Sequence, residues 1–225
     1  MNELNRKAVT AIVRTLIVLI AAVFLPVGTL NYWQGWVCLL AFSVPATAIT
    51  VYVAKNDPAL LERRLKAGPR AEKEKGQKIV QAITSVVFLA DFVFPAFDHR
   101  FGWSSVPASA SMAGALLMVL GFAITFEVFK ANSYTSGIIE VAAEQKVVST
   151  GPYAIMRHPM YSGAWIMLFG IPLALGSFWG MLVNIPLFAG IVWRLLDEEK
   201  FLARNLDGYK EYCQKVKWRL APFVW

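Results

Sequence analysis

Residues 160–196 read MYSGAWIMLFGIPLALGSFWGMLVNIPLFAGIVWRLL, and the division of this stretch decides the fold. A helix that crosses a bilayer needs about 20 consecutive apolar residues. This run is nearly twice that length and is interrupted by GSFWG at residues 176–180, where paired glycines favour a turn. It reads as a helical hairpin whose two rather short arms go in and come back.

Upstream, apolar stretches of spanning length run from Ala8 to Leu30, Trp33 to Ala54, Ile79 to Phe97 and Ala108 to Phe129. With 57% hydrophobic and 16% charged residues, the chain is more apolar than a soluble domain, which carries about 25% charged residues. The expectation is an all-α, polytopic integral membrane protein with five to six transmembrane helices. These include the C-terminal hairpin and are followed by a cytoplasmic C-terminal helix or tail. No composition shift or linker suggests a second domain, so residues 1–225 read as one membrane domain, with four spans in 1–130.

Charge sets the orientation. Of the 22 Lys and Arg, only Arg100 falls in a loop on the far face; the rest lie in the N-terminal segment, residues 55–78, residues 130–157 and from Arg194 onward. The positive-inside rule then makes the protein multi-pass with both termini cytoplasmic. The same rule explains the net charge of +7 through the lipid bilayer as partner, and no nucleic acid is called for. The N-terminal apolar run is too long for a signal peptide and reads as a retained first span. Cys38 lies in a span and Cys213 in the polar tail, so no disulfide is expected.

Among the charges within spans, Arg14 and Glu127 are near enough to the interface to snorkel. Asp91 is deeper; a hydrogen-bonded helix contact is favoured over a substrate or proton path. Gly163, Gly170 and Gly176 permit close helix packing, within or between chains.

At the mouth of the hairpin, residues 151–163 read GPYAIMRHPMYSG, holding one of two histidines. Gly151 and Pro152 break the incoming chain, and Pro159 suits the first turn of a helix, so Arg157 and His158 sit just before a helix N-terminus. That end favours a bound anion. Tyr153 and Tyr161 flank it with flat faces suited to an aromatic ring or an interfacial headgroup. Taken alone, the cluster reads equally well as a juxtamembrane basic pair in an aromatic belt. In WRLLDEEKFL, Arg194 and Glu198 stand four apart on one helix face, which also fits a plain intrahelical salt bridge. Three consecutive acids on a basic face nonetheless suit a cationic ligand group.

The strings EVAAEQKVVSTGPYAIMRHPMYSG (140–163), IVWRLLDEEKFL (191–202) and GYKEYCQKVKWRLAPFVW (208–225) resemble the isoprenylcysteine carboxyl methyltransferase family in its bacterial form. They share the order GPY, RHPxYxG, a glutamate pair, YxxY and a basic-apolar-proline tail. The likeness covers roughly residues 130–225, and RHPxYxG recurs across the wider phospholipid methyltransferase-like membrane superfamily and in sterol reductases. The resemblance implies that Gln145, Val147, Val148, Tyr153, His158, Tyr161 and Glu198 bind S-adenosylmethionine, making 131–225 the cofactor-binding region. It also implies that Arg194 faces a hydrophobic or lipidated small-molecule acceptor, with Glu199 the second glutamate of the pair and no metal. Location in the inner membrane of a bacterium follows from the same likeness. The family's FGxxY segment is LDGY here, one residue shorter, and Glu140 stands as the replacement for an upstream family glutamine.

The chemistry of these residue types agrees. The cofactor's ammonium needs an acceptor such as Glu198, and its carboxylate needs donors such as helix N-terminal amides or His158. Its adenine fits an apolar slot offered by Val147, Val148 and Tyr153. A carboxylate acceptor held by Arg194 needs no general base; an amine acceptor needs one, from His158 or Glu199. The expected catalytic group is therefore Arg194, His158 and Glu199, in an O-methyltransferase acting on a carboxylate. Phospholipid N-methylation, an NADPH-dependent sterol-type reductase (the tail YCQKVKWRLAP resembles theirs) and a non-enzymatic transporter or scaffold are the alternatives.

Overall fold

The computed structural model describes residues 2–72 and 74–225. Lys73, one of the cations counted above, and Met1 lie outside the described residues. Among the described residues there are eight α-helices and no strands. The helices are α1 (Glu3–Val27), α2 (Trp33–Asn56), α3 (Pro58–Leu65), α4 (Lys75–Phe101), α5 (Ala108–Ala131), α6 (Pro159–Ala174), α7 (Asn184–Asn205) and α8 (Tyr209–Lys215). Short 3-10 turns at Gly151–Ala154 and Trp179–Val183 precede α6 and α7. Five helices are long and apolar enough to span a membrane, the fifth counted with its leading 3-10 turn as Trp179–Asn205; α6 is shorter at 16 residues.

The hairpin reading holds. Helix α6 ends at Ala174, Gly176 takes a left-handed φ of 72°, and the chain returns through Trp179–Val183 into α7. A helix of 16 residues rises only about 24 Å, less than a full hydrocarbon core. Its tip still reaches the level of the α1–α2 and α4–α5 connections, because the Tyr32 hydroxyl donates to the Leu175 carbonyl and the Ser177 hydroxyl to Asp98. Asp98 also accepts from the Ser104 amide and hydroxyl, both at 2.6 Å, so the buried carboxylate at the hairpin tip is hydrogen-bonded as its burial requires.

Helices α5 and α6 form the most extensive pair, and glycine spacing explains their closeness. Gly114 and Gly121 on α5 meet Gly170 and Gly163 on α6. A Cβ at Gly121 would stand 2.7 Å from Met167 Cβ, and one at Gly163 2.8 Å from the Gly121 carbonyl oxygen. Small residues at such seams let backbones approach where no hydrophobic effect drives association. Gly163 and Gly170 thus serve packing within the chain.

Asp91 is fully buried, and its Oδ1 accepts from Asn184 Nδ2 at 3.4 Å. This α4–α7 pairing is of the helix-contact kind expected for it. Residues 55–78 carry no apolar run of spanning length, yet Pro58–Leu65 within them folds as α3. Asp57 caps the Leu60 amide at 2.9 Å, Pro58 opens the first turn, and Leu60 and Leu61 bury against Ala8 and Val53, all features of a helix start. This contact places the beginning of α1 at the end of the bundle that also carries the C-terminal tail.

Candidate functional site

Residues 151–163 and the tail meet through the backbone. The Arg157 amide donates to the Trp218 carbonyl at 2.9 Å and the His158 amide to the Arg219 carbonyl at 3.0 Å. The Ser162 hydroxyl donates to the Leu220 carbonyl at 2.6 Å, and the Tyr212 hydroxyl to the Tyr153 carbonyl at 2.8 Å. The shortened LDGY segment is accommodated because Gly208 adopts φ 81°, a left-handed conformation that costs glycine little. Tyr209 and Tyr212 then bury against Val147, Tyr153 and Leu206.

This strap closes one side of an open cleft. Of the residues singled out in the sequence, Gln145, Val147, Val148, Tyr153, His158, Tyr161, Arg194 and Glu198 all line it, as does Glu140. Val147, Val148 and Leu206 supply an apolar wall. Gln145 spends its carbonyl oxygen on the Ala142 amide at 2.9 Å, which leaves its NH2 as the free end. Burial pushes the Tyr153 hydroxyl up to about 12, so it acts as a neutral group, accepting from Asn132 Nδ2 at 3.1 Å.

Helix α6 begins as read, with Pro159 in its first turn and His158 at its N-cap. The Tyr161 hydroxyl donates to Glu198 Oε2 at 2.6 Å, joining α6 to α7 and leaving Oε1 of Glu198 for a ligand. The intrahelical Arg194–Glu198 bridge is not made. Arg194 turns instead to Glu72, whose Oε1 lies 2.6 Å from Nη1, and donates further to Gln77 Oε1 and the Gly137 carbonyl, each at 3.1 Å.

Glu199 stands apart from the other site residues because it does not line the cleft. Its carboxylate is ringed by Arg157 Nη1 at 2.8 Å, Arg219 Nε at 2.9 Å and His158 Nε2 at 3.2 Å. With its acceptor positions so occupied, Glu199 holds the imidazole and the tail in place. His158 presents Nδ1 as the ring nitrogen free of Glu199. The acidic triplet is therefore divided: Asp197 pairs with Gln77 and Lys200, Glu198 faces the cleft, and Glu199 sits behind it.

Sequence reasoning missed Glu72, Arg64 and Asn132. The first two come from the basic connection read only as loop charge. The signal for α3 was present in the Asp57-Pro58 start, but nothing local says that Glu72 folds back onto a residue 122 positions later.

The comparisons with known proteins bear on the half of the chain that builds most of this cleft. Residues 109–207 match the phospholipid methyltransferase family model. Over 119 residues, 51% of this chain, the sequence is 31% identical to proteins of Oryza sativa subsp. indica and subsp. japonica, each named "Probable protein-S-isoprenylcysteine O-methyltransferase". The alignment spans 62% of the length of those curated relatives. These matches support the isoprenylcysteine methyltransferase-like resemblance carried by the motifs. Arg64 and Glu72 lie outside the phospholipid methyltransferase match, in the part of the chain that the family model leaves undescribed.

Proposed function

We propose that the protein is an integral membrane methyltransferase that uses S-adenosylmethionine to methylate a lipid or lipidated acceptor, most simply at a carboxylate. The observation that carries this reading is the convergence of Glu198, Tyr161 and His158 from α6 and α7 on one cleft whose opposite wall is apolar. The residues fit the cofactor. Glu198 has a free oxygen for an ammonium group, and the first turn of α6 offers backbone amides to a carboxylate. The Tyr209 hydroxyl, in a residue 5% exposed and lining the cleft, has no hydrogen-bond partner among the described residues, so it is available to a bound molecule.

When bound, S-adenosylmethionine supplies a methyl group whose C–S bonding pair stays on sulfur while an acceptor lone pair forms the new bond. The chain's part is to align the reactants and exclude water. Glu198 and the α6 amides fix the amino-acid end, while Val147, Val148 and Tyr153 enclose the base. Arg194, whose Nε makes no hydrogen bond among the described residues, donates to the acceptor. His158 and Glu199 position the strap; for a carboxylate acceptor no proton has to be removed. The site sits at the basic end of the bundle with both chain ends, which supports a cytoplasmic orientation.

Isothermal titration of the purified protein with S-adenosylhomocysteine and with NADPH tests this reading. Binding of the former alone is expected, and binding of NADPH alone overturns it in favour of a reductase. Transfer of a radiolabelled methyl group on membranes should fall at least tenfold in Glu198→Ala and His158→Ala.

A further inference from the structure

The chain beyond α8 folds into a turn that is docked on the first turn of α6 and carries two apolar side chains outward. The Ser162 hydroxyl donates to the Leu220 carbonyl at 2.6 Å, and Leu220 is itself buried. The Trp225 carbonyl then accepts from the amides of Arg219, Leu220 and Ala221 at 2.8, 3.0 and 3.2 Å. Within this closed turn Phe223 stands at φ 65°, a left-handed conformation that bulky residues rarely adopt. Phe223 is 86% and Val224 80% exposed, more than any other large apolar residue among those described. The Trp218 ring stands beside them, its centre 5.5 Å from that of Phe223.

The length of α6 sets the depth of this turn. Its tip is level with the α1–α2 and α4–α5 connections, and its 16 residues rise only about 24 Å against a hydrocarbon core of about 30 Å. The start of α6 therefore stops short of the opposite edge of that core, and Ser162 lies nearly one turn further in. A segment bonded to Ser162 sits at the level of the lipid, where an exposed Phe and Val meet acyl chains at no cost in hydration.

The approach to the tip carries the complementary charge. Lys215 and Lys217 are exposed and form no ion pair among the described residues. Lysines beside an aromatic and aliphatic tip match a layer of anionic headgroups over hydrocarbon. Arg219 in the same turn holds Glu199 at 2.9 Å, so whatever steadies the turn also steadies the support of His158.

We infer that the turn from Trp218 to Trp225 is a bilayer anchor: Phe223 and Val224 enter the leaflet on the basic side of the bundle, and Lys215 and Lys217 engage its anionic headgroups. The strap that closes the cleft is thereby moored to the membrane as well as to α6. This rests on the membrane-spanning fold and not on the methyltransferase reading.

The test is spin-label depth measurement on the full chain in lipid nanodiscs. Phe223→Cys, Val224→Cys and, as the water-facing reference, Glu211→Cys are each made in a Cys213→Ser background and labelled with a nitroxide; Cys38 is wholly buried and stays unlabelled. The Tm of each labelled protein reports that it is folded. Labels at 223 and 224 should collide with molecular oxygen several times more often, relative to a water-soluble nickel chelate, than the label at 211. Equal access of the nickel chelate to all three overturns the anchor and leaves the tip facing water, open to a soluble partner. Adding phosphatidylserine to phosphatidylcholine nanodiscs should drive the label at 223 deeper, and Lys215→Gln with Lys217→Gln should abolish that response. The same depth in both lipid mixtures, or an unaltered response in the double variant, overturns the headgroup assignment. No cofactor or acceptor enters the measurement, so its failure and that of the methyltransferase reading are separate results.

Discussion

The Glu72 carboxylate, 2% exposed, lies 2.6 Å from Nη1 of Arg194, so the connection between α3 and α4 is fastened to the last long helix beside a residue that lines the cleft. Glu72 also accepts from Gln81 Nε2 at 2.7 Å, which ties the same carboxylate to the start of α4. Removing one partner of a buried pair leaves the other uncompensated, at a cost of about 3–5 kcal/mol. Glu72→Ala should therefore lower the Tm of the purified protein by more than any exposed acid does, Glu62→Ala for example. Replacing Glu72 and Arg194 together with apolar residues should recover much of the loss, and a double-mutant cycle on Tm measures that coupling.

Tyr161→Phe isolates one hydrogen bond to a charged group, worth about 1.5–3 kcal/mol. The Glu198 carboxylate then loses its orienting donor. S-adenosylhomocysteine affinity should fall by roughly tenfold or more in titration, with Tm little changed because the site is open to water.

The α5–α6 seam admits almost no added volume. Gly121→Val should reduce the yield of folded protein in detergent, since even a Cβ there stands 2.7 Å from that of Met167 and overpacking costs about 1–3 kcal/mol or more. Gly76→Ala, where nothing lies within 4 Å, serves as the control and should be neutral or slightly stabilising.

Glu199 holds the tail through Arg219 and the helix entrance through Arg157 and His158. Glu199→Gln keeps the shape but removes the charge, and limited proteolysis should then cut beyond Val216 several times faster than in wild type. Cofactor affinity should weaken in parallel, because the strap carries Tyr209 and Tyr212.

Tyr153 gives an alkaline signature. Its hydroxyl is neutral in the folded state up to about 12, while in the unfolded chain it ionises near 10. Its contribution is thus fully present below pH 10 and is lost as pH rises from about 10 towards 12. Thermal unfolding across that window should show a shallower decline in Tyr153→Phe than in wild type.

Several elements were legible in the sequence because they depend on local pattern. The apolar runs gave the long helices, and GSFWG gave the turn of the hairpin. Pro159 gave the start of α6 and hence the place of His158. Eight of the nine site residues singled out in the sequence line one cleft, since the motif spacing already encodes two helices meeting at their polar ends. Glu199 differs because Glu198 and Glu199 are adjacent on a helix and point about 100° apart, so one sees the cleft and the other its supports.

By itself, then, the sequence determined which segments leave water and where the polar cluster interrupts them, because hydropathy and helix-breaking residues act within a few residues of chain. Only the tertiary structure decided the partners of each charge. Arg194 pairs with Glu72 rather than with its helical neighbour Glu198, and Glu198 turns to the Tyr161 hydroxyl. The choice depends on which groups are brought together in a site of low polarity, where a paired charge is tolerated and an unpaired one calls for a ligand.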